Sequence, residues 1–278
     1  MYLLFDIGGT KMRLAVSPDG RKIDAAKIVS TPSDFKIGMA QFKRVAGELL
    51  GGTKPEAIAG GIAGPLNLAK TKVIGAPHLP LWQNQPLAAT LKRLTRGKVF
   101  IENDAALAGL GEALSGAGQD YKIVAYYTVS TGVGGARIVD GKIDAHSFGF
   151  EPGHQIIGLE SNGHGGNIRP IFLESRVSGS GLTQRFQKTP ELITDKAVWA
   201  EAGRWLAYGL YNTLVHWSPE VIVLGGGLIE HEAIDLKIVR SELQKLNHIF
   251  PAVPPVMRAR LGGLAGLHGA LQYLRQEL

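Results

Sequence analysis

Apolar residues in this chain fall into two copies of one pattern. The run Tyr2–Ile7, apolar but for Asp6, enters Gly8-Gly9-Thr10-Lys11; a second apolar run over 12–16 leaves that turn, and Asp19-Gly20 then predicts a two-residue hairpin. The same order returns in Ile123–Val129, the glycine-rich Ser130-Thr131-Gly132-Val133-Gly134-Gly135, the run 136–139 and Asp140-Gly141. Around these units the period becomes that of helices. Phe35–Leu50 has apolar residues at helical spacing, Ala57–Ile62 reads as a short buried strand and 86–94 as an amphipathic helix. A strand over 98–102 hands over through Asn103-Asp104 to an Ala/Leu-rich helix over 105–114. Further on, 198–215 carries Trp199, Leu206, Leu210 and Leu214 on a long helical pattern. The strand 221–224 is stopped by Gly225-Gly226-Gly227, and 264–274 is again amphipathic. Alternating β and α elements predict an α/β protein.

Glycines at such turns let backbone N–H groups approach phosphate oxygens, and successive N–H groups form an anion-binding nest. A lone Gly-Gly-Thr turn serves equally well as a ligand-free hairpin. Its duplication between matching strands favours one nucleotide gripped by two related half-domains. Neither turn has the G-x-x-x-x-G-K-[ST] spacing of a P-loop, and neither is a G-x-G-x-x-G opening a helix.

Composition narrows the class. A chain of 278 residues with 45% hydrophobic content can build two ordinary cores. The absence of cysteine removes disulfides and thiolate metal sites and leaves the redox compartment open. No cationic segment precedes an apolar core at the amino terminus, and the longest apolar stretch, 221–229, is far below the roughly 20 residues of a membrane span. The expectation is a soluble, cytoplasmic enzyme with no membrane attachment. The net charge of +6 is scattered, without a dense basic run or interleaved aromatics, so a solvated surface is favoured over a nucleic-acid partner. The polar, glycine-rich stretch 116–120 is the candidate domain boundary.

Several segments in order resemble the ROK family (repressors, open reading frames and kinases). Phe5-Asp6-Ile7-Gly8-Gly9-Thr10-Lys11 looks like its first phosphate motif, Gly61-Ile62-Ala63-Gly64-Pro65-Leu66-Asn67 like its G-x-x-G-P loop, and Glu102-Asn103-Asp104-Ala105-Ala106 like its catalytic segment. Ser130 to Gly135 resembles the second phosphate motif, Glu151-Pro152-Gly153-His154 and Glu174 to Gly179 the sugar-binding segments, and Leu224-Gly225-Gly226-Gly227 the adenosine-side glycines. The resemblance runs nearly end to end. It implies two duplicated actin-like ATPase (ribonuclease H-like) α/β domains with an interdomain cleft. The domains would cover 1–117 and 118–261, with the helix over 262–278 packing back on the first. Repressor members carry a helix-turn-helix ahead of this body, so the resemblance implies a kinase-type member. The implied reaction transfers the γ-phosphoryl of ATP to a hexose, most readily the 6-hydroxyl of glucose, ahead of mannose, fructose, N-acetylmannosamine and N-acetylglucosamine. Mg²⁺ and a homodimer are implied with it.

Residue by residue, the resemblance makes Asp104 the general base that accepts the proton of the attacking hydroxyl. Taken alone, Asp104 reads better as a helix cap, and it is the family pattern around it that favours the catalytic role. Asp6 is matched to Mg²⁺, through water, and otherwise reads as a turn-initiating Asp. Gly8, Gly9, Thr10, Ser130, Thr131, Gly132, Gly134, Gly225, Gly226 and Gly227 would hold the nucleotide, with Lys11 either touching phosphate or solvated. Asn103, Asp104, Glu151, His154, Glu174, His78 and Gly64 would surround the sugar, whose hydroxyls need polar partners.

Two departures stand out. Many ROK members hold zinc with the His of E-P-G-H and three cysteines of a C-x-C-G-x-x-G-C-x-E pattern. Counting back from Glu174, those cysteine places hold Phe172, Asn167 and Gly165, and His164, Glu160 and Asn162 are weak substitutes, so no zinc is expected. Burial of Ile168, Pro170, Ile171 and Phe172 is expected to order the loop instead. The segment Ala76-Pro77-His78-Leu79-Pro80-Leu81-Trp82 resembles a family P-N-L-P-G-W segment in which His78 stands at the place of a sugar-contacting Asn. Two other functions remain open: a noncatalytic sugar sensor, and an actin-like ATPase that drives assembly or chaperoning.

Overall fold

In the computed structural model the described residues are 1–161 and 168–278. Strands β1 (Tyr2–Ile7), β2 (Lys11–Ser17) and β3 (Ala26–Ser30) form an antiparallel meander, followed by helix α1 (Phe35–Leu50) and strand β4 (Ala57–Ile62). Helix α2 (Leu87–Lys92), strand β5 (Val99–Asn103) and helix α3 (Asp104–Ser115) complete the first half. The sheet order is β3-β2-β1-β4-β5, with β4 parallel to both β1 and β5. The second half repeats it. Strands β6 (Ile123–Val129), β7 (Val133–Val139) and β8 (Lys142–Ile143) form the meander, and β11 (Val221–Gly225) and β12 (Val256–Arg258) add on in parallel, giving β8-β7-β6-β11-β12. Inserted between them are a hairpin of β9 (Ile156–Ser161) and β10 (Ile168–Phe172), helices α4 (Leu173–Val177) and α5 (Gly179–Phe186), and the long α6 (Lys196–Trp217). Helix α7 (Gly227–Glu230) follows β11, α8 (Leu236–Leu246) precedes β12, and α9 (Ala265–Glu277) ends the chain.

Burial shows why these layers form. Phe5, Ile7 and Leu14 face α1, where Phe5 meets Phe42 edge-to-face at 5.7 Å. The opposite face of that sheet, with Leu4 and Ala15, packs on α3 and α9, which share one core with Tyr126 and Val223 of the second sheet. Ala125 and Tyr127 then face Leu206 and Leu210 of α6. The layers therefore run helices, sheet, α3 and α9, sheet, helices. Helix α9 packs against α3, β1 and β4, and a Cβ on Gly111 of α3 would lie 2.9 Å from Gly269 N, so this contact requires glycine.

Most predicted elements form within a residue or two of their expected ends, and three expectations are corrected. Residues 18–25 separate β2 from β3, so Asp19-Gly20 is not a two-residue hairpin. The Asp19 carboxylate instead accepts Arg21 and Lys22 N–H groups, and the Ser17 hydroxyl accepts that of Gly20, which folds a wider turn. Asp140-Gly141 does close a two-residue hairpin, with φ of 49° and 71°. Gly134 and Gly135 lie inside β7, leaving Ser130, Thr131 and Gly132 as the turn proper. Finally, of Ile168, Pro170, Ile171 and Phe172 only Ile171 is buried, with Ile168 66% exposed. Period-two alternation in the β9–β10 hairpin turns one face out to solvent. Asn162, His164, Gly165 and Asn167 lie outside the described residues. Among the described residues no helix is long and apolar enough to cross a membrane.

Candidate active site

Both three-residue turns open into one cleft of about 630 Å³ between the two sheets. In each, the carbonyls of two residues are tied back into the protein. Gly8 O accepts the Thr31 hydroxyl at 2.8 Å and Thr10 O accepts Thr31 N, while Ser130 O accepts Gly179 N at 2.8 Å and Thr131 O accepts both N and Oγ of Ser180. Among the described residues the N–H groups of Gly9, Thr10, Thr131 and Gly132 donate to no protein acceptor. Two opposed rows of free donors with anchored carbonyls form a polyanion cradle.

Asp104 enters the cleft at the junction of β5 and α3. Asn103, not Asp104, caps the helix: its Oδ1 accepts the N–H of Ala106 at 3.0 Å, while its Nδ2 reaches Gly64 O at 3.3 Å. Gly64 has φ of 102°, a conformation that favours glycine. Gly61 of β4 lets the helix start close in, because a Cβ there would fall 2.8 Å from Asp104 Cα. Released from capping, the Asp104 carboxyl is left to the cleft. Desolvation by the cleft walls, then the charges of Asp6 and Glu151, push its pKa up to about 7, against the bond its own Oδ1 accepts from Ala105 N. That value suits a base working near neutrality.

Asp6, the penultimate residue of β1, is 8% exposed, and its Oδ2 accepts Arg13 Nη1 at 2.9 Å. Burial raises its pKa, and Arg13 opposes that rise. Asp6 and Asp104 are hard oxygen donors at the cleft head, chemistry that suits Mg²⁺. Among the described residues no group of three or more His, Cys, Asp or Glu could hold a metal, so water and phosphate would have to complete the coordination of an ion there.

Glu151 precedes a short helical turn, Pro152–His154, whose last residue is His154. Desolvation raises the Glu151 pKa, His154 opposing and Glu174 adding. His154 meets the ring of Phe172, the residue that the sequence resemblance matches to a zinc-binding cysteine, edge-to-face at 6.3 Å. Glu174, on α4, accepts the N–H of Val133 at 2.7 Å through Oε2, and Leu173 N donates to Gln155 O. His78 crosses the cleft. A Cβ on Gly9 would lie 2.7 Å from His78 Cβ, and one on Gly132 would lie 2.9 Å from His78 Nε2.

All the sequence-predicted residues line this cleft except Gly225, the buried last residue of β11, which packs beneath Tyr126. Lys11 lines the cleft and is exposed. Sequence reasoning missed Arg13, Glu230, His231, Gly263 and Gly266, which also line it. The signal for Arg13 was present: a three-residue turn after Ile7 pairs Asp6 with Arg13 across the hairpin.

A model of the ROK family matches residues 2–277. The N-acetyl-D-glucosamine kinase of Escherichia coli O139:H28 is 30% identical over 302 residues, covering 97% of this chain and 98% of that protein. The ROK hexokinase of Thermus thermophilus is 31% identical with a TM-score of 0.77, covering 99% of both chains. A ROK family glucokinase of Streptomyces griseus, solved with glucose and AMPPNP, is 27% identical with a TM-score of 0.81 and the same coverage. With duplicated sheets, a cleft at their junction and a match over almost its whole length, the chain belongs to the ROK family and has the actin-like ATPase fold of its sugar kinases.

Proposed function

We propose that the chain is an ATP-dependent sugar kinase that phosphorylates the 6-hydroxyl of a gluco-configured hexose, glucose first. The observation that carries this reading is the opposed pair of turns with free N–H groups and tied carbonyls, beside an Asp104 carboxyl whose pKa is near 7. Gly8 to Thr10 and Ser130 to Gly132 would hold the phosphates from two sides, with Gly226 and Gly227 on the adenosine side. Asn103, Glu151, His154, Glu174 and His78 would orient the sugar. Asp104 would take the proton of the attacking hydroxyl, and positioning supplies most of the remaining rate enhancement. Asp6 would hold Mg²⁺ through water, and the ion when bound neutralises phosphate charge.

The choice of a gluco-configured substrate rests on the relatives at about 30% identity, which include an N-acetyl-D-glucosamine kinase, and on the glucokinase crystallised with glucose. Glucose and N-acetylglucosamine differ only at carbon 2. This reading takes 1–117 with 262–278, and 118–261, as two bodies that close over the substrates, and it includes a homodimer and no zinc. The matching strand orders support two bodies. Coupled ADP detection across glucose, N-acetylglucosamine, mannose, fructose and N-acetylmannosamine, with Asp104→Asn in parallel, tests it. Turnover stimulated by one sugar and lost in the variant is expected. Sugar binding without turnover would make the protein a sensor, and turnover independent of every sugar would make it a different actin-like ATPase.

A further inference from the structure

Glu102 stands one residue before Asn103 on β5, is 2% exposed, and lies outside the lining of the cleft. A carboxylate buried this deeply is costly unless its oxygens find partners. Its Oε1 accepts the N–H of Asn103 at 2.8 Å, and its Oε2 accepts the ammonium of Lys70. β5 is the edge strand of its sheet, and Glu102 supplies the Asn103 N–H with the acceptor that a further strand would otherwise give. Lys70 is aimed at this carboxylate by a strained turn. Its φ is 49°, left-handed for a residue with a side chain, and its N–H donates to Asn67 O at 2.7 Å, while Asn67 Oδ1 accepts the N–H groups of Thr71 and Lys72. This turn is the tip of the segment that follows Gly64, closed where Leu66 bridges Val73. Gly64 O, at the start of the same segment, accepts Asn103 Nδ2 at 3.3 Å. One segment therefore grips Asn103 twice, by its side chain through Gly64 and by its backbone through Lys70 and Glu102. Asn103 in turn caps α3 and leaves the Asp104 carboxyl to the cleft. Behind the ion pair, a second cavity of about 310 Å³ is lined by Lys70, Glu102, His146 and Tyr273 and shares no lining residue with the cleft.

We propose that Glu102 and Lys70 are positioning residues of the active site: their ion pair fixes the backbone of Asn103, so that α3 starts on that residue and the Asp104 carboxyl is held where the sugar hydroxyl arrives. This rests on the kinase reading and adds to it a support that reaches the reacting groups from behind, through the β5–α3 junction.

Steady-state kinetics well below the melting temperature, with thermal melts alongside, test this on the wild type, Lys70→Ala and Lys70→Arg. Alanine and lysine meet the same strain at this φ, so Lys70→Ala removes the ammonium without a new backbone cost. Misplacement of the reacting groups predicts kcat lowered about tenfold or more in Lys70→Ala. Its ATP KM should stay within about threefold of wild type, because the phosphate turns are untouched. Ethylammonium, entering the space left by the lysine stem, is expected to restore much of the lost kcat where sodium at equal ionic strength does not, and Lys70→Arg should retain most of the rate. Recovery by either route supports the proposal. A lower melting temperature with kcat unchanged, or a loss of kcat that neither route recovers, overturns it and leaves the ion pair as a staple of the fold. Should Lys70→Ala not fold, Lys70→Met, which keeps most of the stem and loses the charge, decides by the same comparison of kcat with melting temperature. A wild type without sugar-stimulated turnover removes the kinase reading itself. Amide exchange in the first turn of α3 then decides the clamp alone: faster exchange in Lys70→Ala is expected, and exchange equal to wild type overturns it.

Discussion

Glu174 Oε2 accepts the backbone N–H of Val133 at 2.7 Å, joining the sugar-side helix α4 to the residue that follows the second glycine turn. The bond explains how Glu174 is ordered in a chain without the zinc-binding cysteines. It also ties the proposed sugar and phosphate subsites together in the second half of the molecule.

Gly132 is where that coupling is most easily broken. A Cβ there would fall 2.7 Å from Glu174 Oε2 and 2.9 Å from His78 Nε2, closer than real contacts allow. Gly132→Ala is expected to push both side chains aside and to raise the sugar KM by about tenfold. Its melting temperature should stay near wild type, because the change lies at an open cleft. Steady-state kinetics with a thermal melt checks both, and an unchanged KM would show that neither side chain orders the sugar.

Zinc should be dispensable. His154 packs on Phe172, and the described residues hold no metal-ligating group of three. Elemental analysis of the purified protein is expected to find no stoichiometric zinc, and EDTA should leave the melting temperature unchanged. One zinc per chain would overturn this.

Asp104 links pH to both rate and stability. With its pKa raised to about 7, the free protein carries the base form only above that pH, so log kcat/KM should rise with unit slope up to about pH 7 and then level. Asp6→Asn removes a neighbouring charge and should move that inflection to lower pH. The same shift costs stability: a carboxyl with a folded-state pKa above its unfolded value favours folding fully below about pH 4, and the contribution is lost as pH rises through about 7. From 3.8 to about 7, at about 1.4 kcal/mol per pH unit, the loss is up to ~4 kcal/mol. Asp104→Asn is therefore expected to abolish turnover and to raise the melting temperature at pH 8. Lower stability of the variant at pH 8 would contradict the raised pKa.

Glu112 pins the two chain crossings between the halves. Fully buried on α3, its carboxylate accepts Ala117 N at 2.8 Å in the first crossing, and Arg260 N and Leu261 N, at 3.0 and 2.7 Å, in the second. Glu112→Ala orphans these donors, and a loss of about 3 kcal/mol or more is expected. That corresponds to a drop in melting temperature of roughly 6–12 °C. Calorimetry reads it directly, and a drop under about 2 °C would show that water replaces the carboxylate.

Much of the fold was legible because strand and helix periods, glycine turns and their repetition are local properties. Tyr2–Ile7, Phe35–Leu50 and Ile123–Val129 form as their apolar spacing predicts, and the duplicated motif anticipated the duplicated sheet order. Local pattern also placed Asp104 at the head of a helix. It could not say that Asn103 takes the cap and leaves Asp104 to the cleft, since that depends on which side chain reaches Ala106 N. The burial predicted for Ile168 and Phe172 failed because a hairpin face is buried only if another element covers it, and the apolar character of the residues carries no such information.

By itself, then, the sequence determined the elements, their duplication, the glycine turns and the residue types available for phosphate and sugar, all set by neighbours along the chain. Tertiary structure alone decided the pairing of Arg13 with Asp6, the bond from Glu174 to Val133, His78 between the two turns and the pKa of Asp104. Each depends on distances between residues far apart in sequence, or across a hairpin whose register the turn sets. Desolvation and charge coupling act through space and not along the chain.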